Sequence, residues 1–203
     1  FKDFAGLAAY WLKEFGLISH LKLDETDGDI AYDSVGENDA VVIGDAMWQP
    51  EAGLVRGALQ FYGIDGYLSA PFILDPSIQP YSAYIWIKGD QPRQTIISQQ
   101  GALGDWLYLD AAGTLTSSLL SPLPPVTSDV VITDDRWHHV GLVVDGSGIS
   151  LYVDDAEVAR TDITPFFAAK GDLQIGAGNN LEPGTFWSGL IDDVRIYDRA
   201  VAP

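Results

Sequence analysis

The stretch Phe186-Trp187-Ser188-Gly189-Leu190-Ile191-Asp192-Asp193-Val194-Arg195-Ile196-Tyr197-Asp198-Arg199-Ala200 reads as a strand made for burial with two carboxylates set into it. Strands tolerate Asp poorly, and a buried carboxylate is costly unless a cation or hydrogen-bond donors meet it. The fold must therefore compensate Asp192 or Asp193. Working outward, everything from residue 17 follows a strand-and-turn pattern. Strands are expected over 18–24, 39–44, 57–62, 66–70, 82–88, 94–100, 105–110, 113–119, 128–133, 137–145, 148–154, 171–176 and 186–198. Asp27-Gly28, Asp65-Gly66, Ala112-Gly113, Asp145-Gly146 and Lys170-Gly171 punctuate them as turns. Many short strands with no helices between them predict two packed antiparallel sheets.

Composition agrees with an all-β domain. The chain has 203 residues, enough for a substantial core, and its 21 Gly and 11 Pro suit many turns. The Ser121-Pro122-Leu123-Pro124-Pro125 run is a loop, because proline cannot sit within a central ladder. With 29 acidic against 11 basic residues the formal net charge is -18. Such a surface repels phosphate backbones and anionic lipid, which argues against nucleic acid and membrane surfaces and leaves neutral ligands and divalent cations. The absence of cysteine excludes disulfides and thiolate zinc sites. No apolar run reaches bilayer-spanning length, and the chain starts without Met, so it is read as a piece of a longer protein.

Residues 1–16 differ from the rest. Phe4, Leu7, Ala8, Trp11, Leu12 and Phe15 recur at helical spacing, and Gly16 follows where a helix would stop. A helix over residues 3–15 is expected, either packed on the sandwich edge or left from a preceding module. Phe1 to Leu12 resembles the exit helix of a dockerin-type EF-hand repeat, a resemblance that implies Asp3 as the last ligand of an incomplete loop.

The final strand resembles that of the concanavalin A-like jelly rolls, in particular bacterial laminin G-like domains. The resemblance continues at Leu21-Lys22-Leu23-Asp24-Glu25-Thr26-Asp27-Gly28, at Gly57-Ala58-Leu59-Gln60-Phe61 with Gly66-Tyr67-Leu68, and at Ser82-Ala83-Tyr84-Ile85-Trp86-Ile87-Lys88. It then runs through Trp137-His138-His139-Val140 into Ile149 to Asp155 and Leu173-Gln174-Ile175-Gly176. It implies a two-sheet antiparallel β-sandwich over residues 17–203, with first and last strands side by side.

Two chemistries are worth placing on this scaffold. Calcium takes six to eight oxygen ligands, and the chain offers Asp24, Glu25, Asp27, Asp29 and Asp33 after the first strand with Asp192 and Asp193 on the last. In related glucanases a structural calcium lies between the first and last strands. The resemblance therefore implies Asp192 as a ligand, helped by Asp24, Glu25, Asp33 or the Gly57 region. The alternative is that Asp192 or Asp193 pairs with Arg195, Arg136 or Arg199. Sugar binding needs exposed aromatic rings with amides and carboxylates beside them. Trp106 and Tyr108 share a face by alternation, with Arg93, Gln99, Gln100 and Asp105 near them in sequence, and Trp48 and Trp187 are weaker candidates. Trp86 and Trp137, in the strongest apolar strands, are expected in the core.

Catalysis has little support. A glycosidase needs two carboxylates flanking the scissile bond, and the related glucanases carry theirs on a Glu-x-Asp-x-x-Glu type strand that this sequence lacks. The three histidines come with no Gly-x-Ser-x-Gly elbow and no metal-ligand spacing. His138 and His139 are expected to be structural. The expectation is a monomeric, secreted or surface-displayed module of a multidomain bacterial protein, non-catalytic, binding a neutral poly- or oligosaccharide and holding a structural calcium. A glycoside hydrolase with a hidden carboxylate pair and a protein-interaction spacer are the alternatives.

Overall fold

The computed structural model describes residues 15–203, so nearly all of the helix expected over residues 3–15, and Asp3, lies outside the described residues. Sixteen strands and no helix follow: β1 (Leu17–Leu21), β2 (Ile30–Ala31), β3 (Ala40–Ile43), β4 (Ala46–Gln49), β5 (Ala58–Tyr62), β6 (Tyr67–Ala70), β7 (Tyr81–Gly89), β8 (Thr95–Gln99), β9 (Leu107–Leu109), β10 (Thr114–Ser117), β11 (Val126–Val131), β12 (His138–Asp145), β13 (Gly148–Val153), β14 (Ala156–Thr161), β15 (Leu173–Ile175) and β16 (Ser188–Tyr197). Each expected strand overlaps an observed one, with ends that differ by up to three residues. The three that escaped the sequence reading, β2, β4 and β14, are short or largely solvent-facing, so no alternation of apolar residues marks them.

All pairing is antiparallel. The first sheet has the order β14-β13-β12-β7-β16-β5-β4 with β1 also against β16, and the second runs β11-β10-β9-β8-β15-β6-β3-β2. Alternating side chains from the two inner faces make one core, including Leu59, Phe61, Ile85, Ile87, Ile97, Leu107, Leu109, Ile191 and Val194, all fully buried or nearly so. Each such Leu or Ile contributes about 1.5–3 kcal/mol by leaving water. On the outer face of the first sheet a smaller cluster of Leu17, Tyr84, Val143 and Tyr197 packs under Ala200 and Val201. Tyr84 lies flat over Gly141, where an added Cβ would meet its Cε1 at 2.2 Å.

The central irregularity is in β16. Along one edge its first half pairs with β5, Ser188 to Ile191 opposite Tyr62 to Leu59, and its second half pairs with β1, Val194 to Tyr197 opposite Leu21 to Leu17. Along the other edge it pairs with β7, but Asp192 opposes Trp86 while Arg195 opposes Tyr84. One extra residue is thus inserted, and Asp193 takes φ 52° to accommodate it. The bulge falls where β16 changes neighbours, so the two carboxylates read from the sequence sit at a gap in the ladder.

Candidate functional site

The proposed platform of Trp106 and Tyr108 needs correction. Leu107 and Leu109 point into the core, but Trp106 is also fully buried, 0% exposed, with its ring centroid 5.2 Å from that of Tyr81. Alternation fails here because Trp106 precedes β9, and the pairing is irregular at that point. Thr95 opposes Tyr108 while Ile97 opposes Leu107, so β8 carries one extra residue, Ile96, opposite the start of β9. Gln99 is buried too, its Nε2 donating to the carbonyls of Leu74 at 3.0 Å and Gly171 at 3.2 Å, and so serves the core rather than a ligand. Trp187 is fully buried, and Trp48 is half-buried with Nε1 donating to the Gly28 carbonyl at 2.8 Å.

Tyr108 survives as a surface ring. It faces outward from the second sheet between Thr95 and Thr116, half-buried, and burial with the nearby Asp105 and Asp110 carboxylates pushes its phenol pKa up. Asp105 lies beside it, accepting from the Asn179 N–H at 3.2 Å and the Thr95 hydroxyl at 3.3 Å. Burial raises the Asp105 pKa, those two donors oppose the rise, and the Glu182 carboxylate adds to it. Exposed Arg93, two residues before Thr95, is tied to this end by its N–H to the Asp110 carbonyl at 3.1 Å. Gln100 is exposed beyond the end of β8. The face thus gathers one aromatic ring with the Asp105 and Asp110 carboxylates near it, and the Arg93 backbone is anchored at the same end. The sequence offered no sign of Asn179 or Glu182, which arrive on the loop between β15 and β16.

The second assembly surrounds Asp192, which is 1% exposed. The loop joining β4 to β5 folds over it, so that Oδ2 accepts from the Leu54 N–H at 2.9 Å and the Val55 N–H at 3.4 Å. Burial nevertheless raises its pKa to about 6, the two donors notwithstanding, with Asp193 and Asp24 adding like charge. Asp24 holds the same loop from the other side, accepting from the Gly57 N–H at 3.0 Å. Gly57 fits because its Cβ would stand 2.8 Å from the Leu23 carbonyl oxygen. Glu25 accepts from the Tyr32 N–H at 2.9 Å, while its Oε2 is buried with no partner among the described residues. Arg56, 3.8 Å from Asp24, is 80% exposed and offsets little of this charge.

These groups suit a hard cation in kind: hard oxygen donors, a carboxyl whose ionisation the site opposes, and an orphaned carboxylate oxygen close in sequence. Among the described residues no three acidic or histidine side chains converge, so backbone carbonyls would have to complete any coordination. Asp33 does not join them. Its carboxylate accepts from the N–H groups of His20, Val35 and Asn38 and from the Asn38 amide. Burial works to raise its pKa, but these donors outweigh it and hold it low. It organises its own loop.

Asp193 has different compensation. Its Oδ1 lies 2.6 Å from His20 Nε2 and its Oδ2 3.1 Å from Arg195 Nη2. Burial pushes its pKa up, but the His20 hydrogen bond and the Arg195 charge more than reverse this. The pairing with Arg195 thus applies to Asp193, while Asp192 is met by backbone donors. Trp86 and Trp137 are not core residues. Trp86 faces outward, stacked on His139 at 4.8 Å, and His139 is stacked in turn on Tyr84 at 5.3 Å, so these rings cover one another. Trp137 is half-buried. His138 bridges Asp134 and Asp154 at 3.1 and 2.9 Å, and His139 reaches Asp155 at 3.2 Å, as structural histidines do.

Comparison with known proteins fits this architecture. No curated protein matches the chain. Among solved structures, domain 4 of AbnA, an extracellular arabinanase from Geobacillus stearothermophilus solved in complex with arabinotriose, is 22% identical with a TM-score of 0.67, covering 91% of this chain and 93% of that one. Trypanosoma rangeli sialidase is 18% identical with a TM-score of 0.65, over 92% of this chain but 31% of its own. The binding domain of Paraclostridial Mosquitocidal Protein 1 is 11% identical with a TM-score of 0.70, over 92% of this chain and 49% of that one. These likenesses establish a shared fold. The family model Laminin_G_3 matches residues 62–203, and on that match the chain belongs to the Laminin_G_3 family of the concanavalin A-like lectin/glucanases superfamily.

Proposed function

We propose that this chain is a non-catalytic carbohydrate-binding module of a larger extracellular or surface protein, taking neutral oligo- or polysaccharides on the Tyr108 face. The observation that carries the reading is the Tyr108 ring, outward on the second sheet with the Asp105 and Asp110 carboxylates near it. A sugar stacks its apolar face on such a ring while its hydroxyls donate to the carboxylates. The solved relative bound to arabinotriose supports the ligand class, and the net charge of -18 favours neutral glycans over polyanions. Calorimetric titration with arabinotriose and a panel of neutral oligosaccharides tests it. At least one should bind to wild type and fail to bind Tyr108→Ala of unchanged Tm. Unaltered binding in that variant, or no binding by wild type, refutes the site. The glycosidase alternative is tested in the same samples: release of reducing sugar that Asp105→Asn abolishes would replace binding with catalysis.

The same reading includes a structural calcium. Asp192 through Oδ1, Asp24 and the Leu23 and Gly57 carbonyls are the groups that would hold it, with Glu25 beside them. The ion would supply the positive charge that the buried carboxylates lack. Asp192 and Asp24, by gripping the 53–57 loop, already orient it across the gap between β5 and β1.

A further inference from the structure

The loop before β7 and the end of β16 border a cavity of about 340 Å³ that opens to solvent, lined by Phe72, Leu74, Ile78, Tyr81, Asp75 and Asp198 among others. Phe72 and Ile78 stand 44% and 69% exposed at its wall, an apolar surface with nothing described over it. Tyr81 is the opposite case. It is 1% exposed, and its hydroxyl makes no hydrogen bond among the described residues. Leaving a buried hydroxyl unpaired costs free energy that folds normally avoid. Its nearest ring neighbour, Trp106, carries an Nε1 that is likewise buried and unpaired.

The surroundings select the partner. Burial, and after it the Asp75 charge, raise the Tyr81 pKa, so the phenol is neutral and stands in a negative field. Asp75 is already engaged by the Ser77 N–H at 3.0 Å, the Ser77 hydroxyl at 2.8 Å and the nearby Lys170 charge. Asp198, exposed at the end of β16, is the carboxylate at hand for an incoming cation. An anion is repelled here, whereas a charged donor satisfies both the phenolic oxygen and the field.

We propose that this cavity is a second ligand site, for a small amine whose ammonium group is carried on a compact apolar or aromatic body. The ammonium donates to the Tyr81 oxygen and faces Asp198, and the body covers Phe72 and Ile78. The site shares no residue with the Tyr108 face, so either can fail without the other.

The test titrates benzylamine into the chain by calorimetry at neutral pH and moderate salt, with benzyl alcohol as the uncharged probe of equal shape. Benzylamine should bind about tenfold more tightly than the alcohol, and Tyr81→Phe should weaken it by about fivefold or more. That variant keeps the ring and the net charge, so it separates the site from general attraction of cations to an acidic surface. Its Tm is measured alongside, because Tyr81 touches the core. Asp198→Asn, at an exposed position, reads the same site without disturbing the core and should also weaken binding. No binding of benzylamine, equal affinity for the two probes, or undiminished binding in Asp198→Asn or in folded Tyr81→Phe overturns the proposal.

Discussion

Asp192→Asn in the presence of a chelator isolates the cost of the buried charge. Raising a carboxyl pKa from its ordinary 3.8 to about 6 corresponds to about 3 kcal/mol between its two protonation states. The sign follows from proton linkage. The folded chain binds the proton more tightly than the unfolded one, so the native state is favoured while Asp192 is protonated. That advantage is lost as pH rises from about 3.8 through about 6. Chelated wild type should therefore lose about 3 kcal/mol more than Asp192→Asn across that window and run parallel to it above. Asn keeps an oxygen for the Leu54 and Val55 N–H groups, so loop geometry is conserved. Urea denaturation at a series of pH values from 3 to 8 measures the difference between the two proteins, in which titrating groups remote from Asp192 cancel. Millimolar calcium at pH 8 should restore the loss in wild type by preferential binding to the native state and leave the Asn variant unmoved. Parallel wild-type and variant profiles throughout refute the buried-charge argument, and an equal calcium response in both proteins refutes the metal site.

Trp106→Ala should destabilise the fold by about 3–5 kcal/mol, as loss of a buried aromatic does, measured by urea denaturation; a change under about 1 kcal/mol would return Trp106 to the surface. Gly141→Ala drives a methyl into the Tyr84 ring and should cost about 1–3 kcal/mol, whereas an unchanged Tm means that the ring moves aside freely. Binding of a neutral oligosaccharide at the Tyr108 face should vary little between low and high salt, because no ligand charge is involved; a steep salt dependence in calorimetry points to an ionic ligand.

The sequence by itself determined the sheets. Alternation in Leu17–Leu21, the apolar runs of strand length in Tyr81–Gly89 and His138–Asp145, and the Gly-marked turns between strands are local properties. They survive in any tertiary setting that buries one face. The resemblance carried by the Asp192 to Tyr197 strand also placed the last strand beside the first. The same strand announced that a buried carboxylate needed a partner, since that follows from residue type alone. What it could not announce was the partner. Asp192 is met by backbone N–H groups of Leu54 and Val55, which have no side-chain signature, and Asp193 by His20 from the opposite end of the chain. Nor could alternation assign Trp106 or Trp86. Trp106 lies outside the regular strand, just before β9, and is buried where the pattern says outward. Trp86 is apolar in an apolar strand, yet it faces outward against His139, because inside and outside are decided by which layer covers a face. Period sets which residues share a side, and only the packing of the second sheet and the loops over the first decides which side is the core.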